Sequence, residues 1–163
     1  EIGDNYRLSN GLAGIGRGQL RVLEERVQQR RKVFERYYEA LKDIEGVNFM
    51  PEAPFGRCTR WLTTMTVDPN LNPVTPSELL DALETENIEG RPIWKPLHLQ
   101  PVFQKCRYFT HGSAEDRNAP WGATGGSVSD YIFNTGICLP SGSNMTEEEQ
   151  DRVIEVLLKV LKK

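Results

Sequence analysis

A short polar cluster at residues 91–98, with the sequence RPIWKPLH, combines side chains that could bind a charged, ring-containing ligand. It brings a guanidinium, an indole, an ammonium and an imidazole group together, and its prolines restrict the backbone that carries them. If the segment is a strand, Trp94, Pro96 and His98 lie on one side and Lys95 lies on the other. The alternative, equally open from the residues alone, is a structural edge strand whose tryptophan lies in the core.

A second polar cluster precedes the first predicted helix, at residues 5–10 with the sequence NYRLSN. The Asn5 amide and the Arg7 guanidinium are groups that bind phosphate, and the backbone amides at the start of the following helix would add further donors. The local alternative is ordinary helix capping by Ser9 or Asn10, and the residues by themselves favour it.

Neither a self-contained catalytic site nor a metal site is indicated by residue type and spacing. Neither histidine lies in a nucleophile motif, so we assign no catalytic residue. The cysteines Cys58, Cys106 and Cys138 lack the paired spacing of a zinc site, and their scatter is typical of a reduced, cytoplasmic protein. The net charge of −3 argues against nucleic-acid binding, and no apolar run is long enough to predict a membrane span.

The clearest periodic segment predicts an amphipathic helix over residues 19–43. The glycine-rich residues 9–18 before it are interpreted as a packed helix start or turn, because they lack the spacing of a phosphate-binding loop. Arg30 interrupts one of the two apolar rows of the helix. The stripe that should face the core consists of Leu20, Leu23, Val27, Phe34, Tyr37 and Leu41.

The opposite face of this helix is charged, with eight basic and four acidic residues over positions 17–42. We interpret it as a solvated face held by pairs four residues apart, such as Arg21–Glu25 and Arg31–Glu35. The alternative is a positive surface that attracts an anionic ligand.

The rest of the chain predicts short strands and helices in alternation. Residues 59–67 predict a strand with Trp61 and Met65 on one face, and capping boxes at Thr75 and Thr146 open two helices. Further short elements are predicted as a strand at the start of 91–99, a helix over 127–135 and a strand over 137–140. This order predicts an α/β or α+β layer with few strands.

Four sequence motifs follow one another along nearly the whole chain: NYRLSN with AGIGRGQL, then RWLTTMTVDP, then ENIEGRPIWKPLHLQPVF, then GICLPSGSNMTEEEQDRV. Together they resemble the DegT/DnrJ/EryC1/StrS family of pyridoxal-phosphate-dependent nucleotide-sugar aminotransferases. Within that family the chain is most similar to members such as UDP-N-acetylbacillosamine transaminases.

The resemblance implies the C-terminal portion of a fold-type-I transferase. Residues 1–18 would continue from a large cofactor-binding domain upstream, and residues 19–163 would form the C-terminal small domain. That domain is expected to be of the α/β (α+β) class, with a small, mostly antiparallel sheet packed with helices.

The resemblance also implies an activity for the full-length parent. Such an enzyme moves an amino group, usually from glutamate, to a nucleotide-linked keto-sugar for bacterial polysaccharide or glycan synthesis, as a homodimer with shared active sites. The family's Schiff-base lysine has no matching motif here, so we expect the chain alone to be inactive. The alternative is a non-catalytic binding or dimerisation module derived from such an enzyme.

The resemblance also implies roles for individual residues of this chain. Asn5 would reach the cofactor phosphate of the neighbouring subunit, with Arg7 near the same phosphate or the sugar nucleotide. Trp94, Lys95 and His98 would line the substrate pocket.

Overall fold

The computed structural model of the chain describes residues 7–107 and 127–162. Within these ranges the chain forms four α-helices, four strands and two 3₁₀ turns, at Leu97–Leu99 and Pro101–Phe103. In chain order the elements are α1 (Asn10–Leu41), β1 (Val47–Phe49), β2 (Thr63–Val67), α2 (Pro76–Thr85), β3 (Arg91–Pro92), α3 (Val128–Thr135), β4 (Gly136–Leu139) and α4 (Glu147–Leu161).

The four strands form one antiparallel sheet in the order β1-β2-β4-β3. Its centre is the β2–β4 pair, in register from Thr63 opposite Leu139 to Thr66 opposite Gly136. β3 adds only two residues at the edge. The expected small antiparallel sheet packed with helices is confirmed.

One face of the sheet is covered by α1, α2 and α4, and the core lies between them. The opposite face, which presents Thr64 and Thr66, is partly covered by α3 through Val128 and Ile132. Each large aliphatic side chain buried in such a core contributes about 1.5–3 kcal/mol. The most deeply buried side chains are Tyr37, Leu41, Met65, Leu79, Leu83, Ile137, Leu139 and Leu157.

Both predicted capping boxes are present. The Thr75 and Thr146 hydroxyls accept the backbone N–H of Glu78 and Glu149, whose carboxylates accept the backbone N–H of the two threonines in return. Ser9 caps α1, as the local alternative predicted. These signals were correct because each depends on residues within one helical turn.

The helix α1 starts earlier than predicted and buries only part of its apolar stripe. It begins at Asn10 and runs unbroken past residue 18, so the glycine-rich segment is its first turns. Tyr37 and Leu41 are fully buried, whereas Leu20 and Leu23 are 69% and 53% exposed. The prediction that the whole stripe faces the core of this chain was therefore wrong for its N-terminal half.

Two strand predictions also need correction. β2 begins at Thr63 and not at residue 59, because Arg60 adopts a left-handed backbone conformation with φ of 52° and interrupts the extended chain. Trp61, before the strand, is exposed instead of sharing the face of Met65. The segment after β3 leaves the sheet at Ile93, so the predicted alternation along 91–98 does not form.

Within the two described ranges, no helix combines the length and the apolar character that crossing a membrane would require.

Candidate functional site

A cavity of about 840 Å³ opens beside β3, past the end of β4, and against the first turns of α4. Trp61 and Trp94 lie on its wall with their rings nearly parallel, at 22° and with centroids 6.1 Å apart. Each tryptophan is 64% exposed. The alternative that Trp94 is a core residue is therefore wrong. The structure pairs it with Trp61, which the sequence had assigned to a strand face.

Arg30 fixes the backbone at this wall. Its guanidinium donates from Nη1 to the carbonyl of Trp61 (2.9 Å) and to the carbonyl of Ser141. The Ser141 hydroxyl in turn accepts the backbone N–H of Thr63 at 2.9 Å and donates to the carbonyl of Leu139 at 2.7 Å. The arginine that interrupts the apolar row thus joins α1 to the ends of both central strands.

The loop over residues 50–61, which leads into Trp61, is also tied to α1. The Arg31 guanidinium donates to both carboxylate oxygens of Glu52, each at 2.9 Å, and the Arg60 guanidinium lies 3.7 Å from the centroid of the Phe34 ring. The hydrogen bonds from Arg31, and a second one from the backbone N–H of Cys58, lower the pKa of Glu52 to about 2.

The predicted pairs along α1 are wrong in their partners. Arg31 binds Glu52 instead of Glu35, and the Glu25 carboxylate accepts a hydrogen bond from Gln29 at 3.1 Å. Further charged side chains of α1 also bind other elements: Glu24 binds Arg57, and Arg36 binds Glu147 and Asp151. This face of α1 is therefore a tertiary contact surface and not only a solvated one.

The cavity wall carries three basic side chains, Arg91, Lys95 and Arg152, and two acidic ones, Glu89 and Glu149. The acidic side chains there are engaged, since Glu89 pairs with Arg91 at 2.5 Å and Glu149 accepts a backbone N–H at the start of α4. Among residues 7–107 and 127–162, Lys95 and Arg152 make no ion pair, although Nη2 of Arg152 donates to the backbone carbonyl of Glu86. Their charges therefore remain available to an anionic group in the cavity.

His98 lies outside this wall, on the 3₁₀ turn that follows. Its Nε2 lies 2.8 Å from Oδ1 of Asp130, and Oδ2 of Asp130 accepts a hydrogen bond from the Ser127 hydroxyl at 2.7 Å. The hydrogen bond from Ser127, and next the one to His98, lower the pKa of Asp130. The pair links the 3₁₀ turn to the N-terminus of α3. His98 thus has a structural contact, which the sequence did not reveal.

The second predicted cluster, Asn5 with Arg7, precedes the N-terminus of α1 in the sequence. Asn5 is outside the described residues, and Arg7 is exposed just before the cap at Ser9. The first turn of α1 contains no acidic side chain, so none in that turn opposes an anion at the helix N-terminus. An exposed cation beside a helix N-terminus is a combination that can bind a phosphate group. At 1.5 Å per residue, Asn10 and Arg30 are separated by about 30 Å along the helix.

Residues 1–158 match the sequence model of the DegT/DnrJ/EryC1/StrS aminotransferase family. The chain belongs to this family. The match confirms the family that the four motifs indicate. Enzymes of the DegT/DnrJ/EryC1/StrS family use pyridoxal phosphate as their cofactor, as the name of one relative, EpsN, also states.

The three relatives described here are much longer than this chain. EpsN from Bacillus subtilis (strain 168), named as a pyridoxal phosphate-dependent aminotransferase, is 54% identical over 97% of this chain and 37% of its own length. GDP-perosamine synthase from Caulobacter vibrioides is 27% identical over 98% of this chain and 39% of its own. A solved aminotransferase of the family from Brucella abortus has a TM-score of 0.73 at 29% identity, covering 99% of this chain and 38% of that one. The chain thus spans about two-fifths of their length.

Proposed function

We propose that this chain is the C-terminal part of a cytoplasmic aminotransferase that uses pyridoxal phosphate and acts on nucleotide-linked keto-sugars. The parent enzyme would take the amino group from an amino acid, glutamate in the family pattern, and its product would enter bacterial polysaccharide or glycan synthesis. Support for a nucleotide-linked substrate comes from the relative named GDP-perosamine synthase.

The observation that carries this proposal is the cavity beside β3 in a chain with this family membership. Trp94 and Lys95 lie on its wall, where the indole offers a face for a sugar or base and the ammonium offers a charge for the diphosphate. Arg152 adds a second cation from α4. Through its contact with Asp130, His98 would hold the 91–98 segment in place where that segment borders the substrate.

The length of α1 supports a homodimer with shared active sites. Arg7 and the tryptophan wall are separated by about 30 Å along α1, too far for both to contact one small group in the same subunit. We therefore assign Asn5 and Arg7 to the cofactor phosphate of the neighbouring subunit, and the cavity to a substrate in the chain's own subunit.

The bound cofactor would supply the electron-withdrawing ring on which amino transfer depends. This chain's own contribution is to bind phosphate at the start of α1 and to orient the substrate at the cavity. No residue of the chain matches the family's Schiff-base lysine, so we expect no activity from residues 1–163 alone.

Purification of the full-length protein tests the proposal. We expect an absorbance of bound cofactor in the near-ultraviolet or visible range, transamination of a nucleotide keto-sugar, and weaker cofactor retention in Asn5→Ala. The 163-residue chain alone is the control and should show neither absorbance nor activity. A colourless full-length protein that stays inactive with added cofactor contradicts the proposal.

A second candidate is a non-catalytic binding or dimerisation module derived from such an enzyme. Exposed apolar side chains on the N-terminal half of α1 favour an interface of this kind: Leu12, Ile15, Leu20 and Leu23. The coding sequence upstream of Glu1 separates the two candidates. A domain with a Schiff-base lysine supports the enzyme, and a start codon at this point supports the module.

A further inference from the structure

We propose that Trp61 and Trp94 together form a stacking surface for the base of a nucleotide substrate, so that Trp61 helps to determine nucleotide affinity. This inference rests on the proposed function, because it assigns a part of the same substrate to the same cavity. Trp61 belongs to no motif that the sequence analysis connected with binding.

The first argument is the exposure of the pair. A tryptophan side chain buries a large apolar area when it packs in a core, yet both members of this pair remain mostly exposed at a cavity. The rings are inclined by 22° with centroids 6.1 Å apart, and each residue is 64% exposed, so the pair offers exposed indole surface to a third flat ring. Bases stack on such faces whatever their sequence identity, because every base has a π-face.

The second argument is that Trp61 is held in place before any ligand arrives. Its carbonyl accepts a hydrogen bond from Arg30, and the loop before it is fixed by the Arg31–Glu52 pair and by Arg60 on Phe34. A group that is already ordered loses little conformational entropy on binding, so a stack on it contributes more to affinity.

The third argument is the position of charge beside the stack. Lys95 follows Trp94 directly and Arg152 lies on the wall of the same cavity. A base on the indole pair would therefore have cations close by for its phosphates. A sugar ring could also stack on an indole, but a planar base covers the flat indole face more completely than a puckered ring does.

Calorimetric titration of the full-length protein with UDP, GDP and dTDP tests the inference, with inorganic pyrophosphate as the base-free probe and free N-acetylglucosamine as the sugar probe. We expect Trp61→Leu to bind the nucleotides at least tenfold more weakly and pyrophosphate equally well, because one base–aromatic stack is lost. Trp61→Phe should keep most of the nucleotide affinity. Phe55→Leu, an exposed aromatic of the same loop, is the matched control and should bind as the wild type does.

The outcomes separate the inference from the proposed function. A protein that binds pyridoxal phosphate and transaminates, but whose nucleotide affinity is the same in Trp61→Leu as in the wild type, overturns the inference alone. So does a result in which only the sugar probe depends on Trp61. Absence of cofactor and activity in the wild type overturns the proposed function instead. If Trp61→Leu does not fold, Trp61→Gln, whose side chain has no aromatic face, takes its place with the same expected loss.

Discussion

The two halves of α1 have similar apolar periodicity and opposite surroundings. In the C-terminal half, Tyr37 and Leu41 are fully buried against the sheet and α4. In the N-terminal half, Leu20 is 69% exposed, and Leu12 and Ile15 are exposed as well. The comparison teaches that a hydrophobic stripe specifies which side of a helix is covered, but not which part of the molecule or assembly covers it.

The largest expected effect comes from equal truncations in the two halves. Leu41→Ala should lower the free energy of unfolding of the 163-residue chain by about 2–5 kcal/mol, because it leaves a cavity in the core. Leu20→Ala should change it by less than about 0.5 kcal/mol, because its side chain already contacts solvent. Urea denaturation followed by circular dichroism measures both. Similar losses would show that the N-terminal half is covered within the chain itself.

Arg30, at the boundary between the two halves, should give an intermediate effect. Arg30→Ala removes charged donors from the carbonyls of Trp61 and Ser141, and we expect a loss of about 1.5–3 kcal/mol together with a shift in tryptophan emission. Arg26 is the matched control, because among the described residues its guanidinium donates a hydrogen bond only to the side chain of Gln29, on the same helix. Arg26→Ala should leave both the unfolding free energy and the emission spectrum unchanged, and equal effects of the two variants would contradict the anchoring role.

The smallest expected effect is a pH dependence from Glu52, which links α1 to the 50–61 loop. Its pKa is about 2 in the folded chain against an ordinary value of 4.5, so the folded state keeps the charge while the unfolded state takes up a proton. The stability from this carboxylate is therefore complete above about pH 4.5 and is lost as the pH falls toward 2. Thermal unfolding of Glu52→Gln should show a shallower decline over this range than the wild type. Parallel curves would contradict it.

Local signals made much of the fold predictable. The capping boxes at Thr75 and Thr146 each lie within four residues, and α2 and α4 follow them as expected. β1 was missed because three residues, Val47–Phe49, carry too little periodicity to distinguish a strand from a loop. The late start of β2 follows from the positive φ of Arg60. The residue types around Arg60 do not predict that backbone conformation.

The candidate site was predictable only in part, because its contacts join distant parts of the chain. Trp94 and Lys95 could be selected from their own segment, but their neighbour Trp61 lies more than thirty residues earlier. In the sequence, the only sign of the role of Arg30 is that a charged residue interrupts an apolar row. The sequence does not indicate that its partner is the carbonyl of Trp61. Ion pairing four residues apart was a poor guide for Arg31, because Glu52 offers a bidentate partner from another element.

The pairing of β3 with β4 has an evolutionary consequence. Arg91 lies opposite Cys138 and Pro92 opposite Ile137, so the chain that leaves the edge strand β3 at residue 93 returns to the neighbouring strand β4 at residue 136. Between these two ends the described residues include Trp94 and Lys95 of the cavity wall and the His98–Asp130 contact. Substitutions at exposed positions of this segment can therefore alter ligand preference, while the buried positions that stabilise the core lie mainly in the sheet and in α1, α2 and α4.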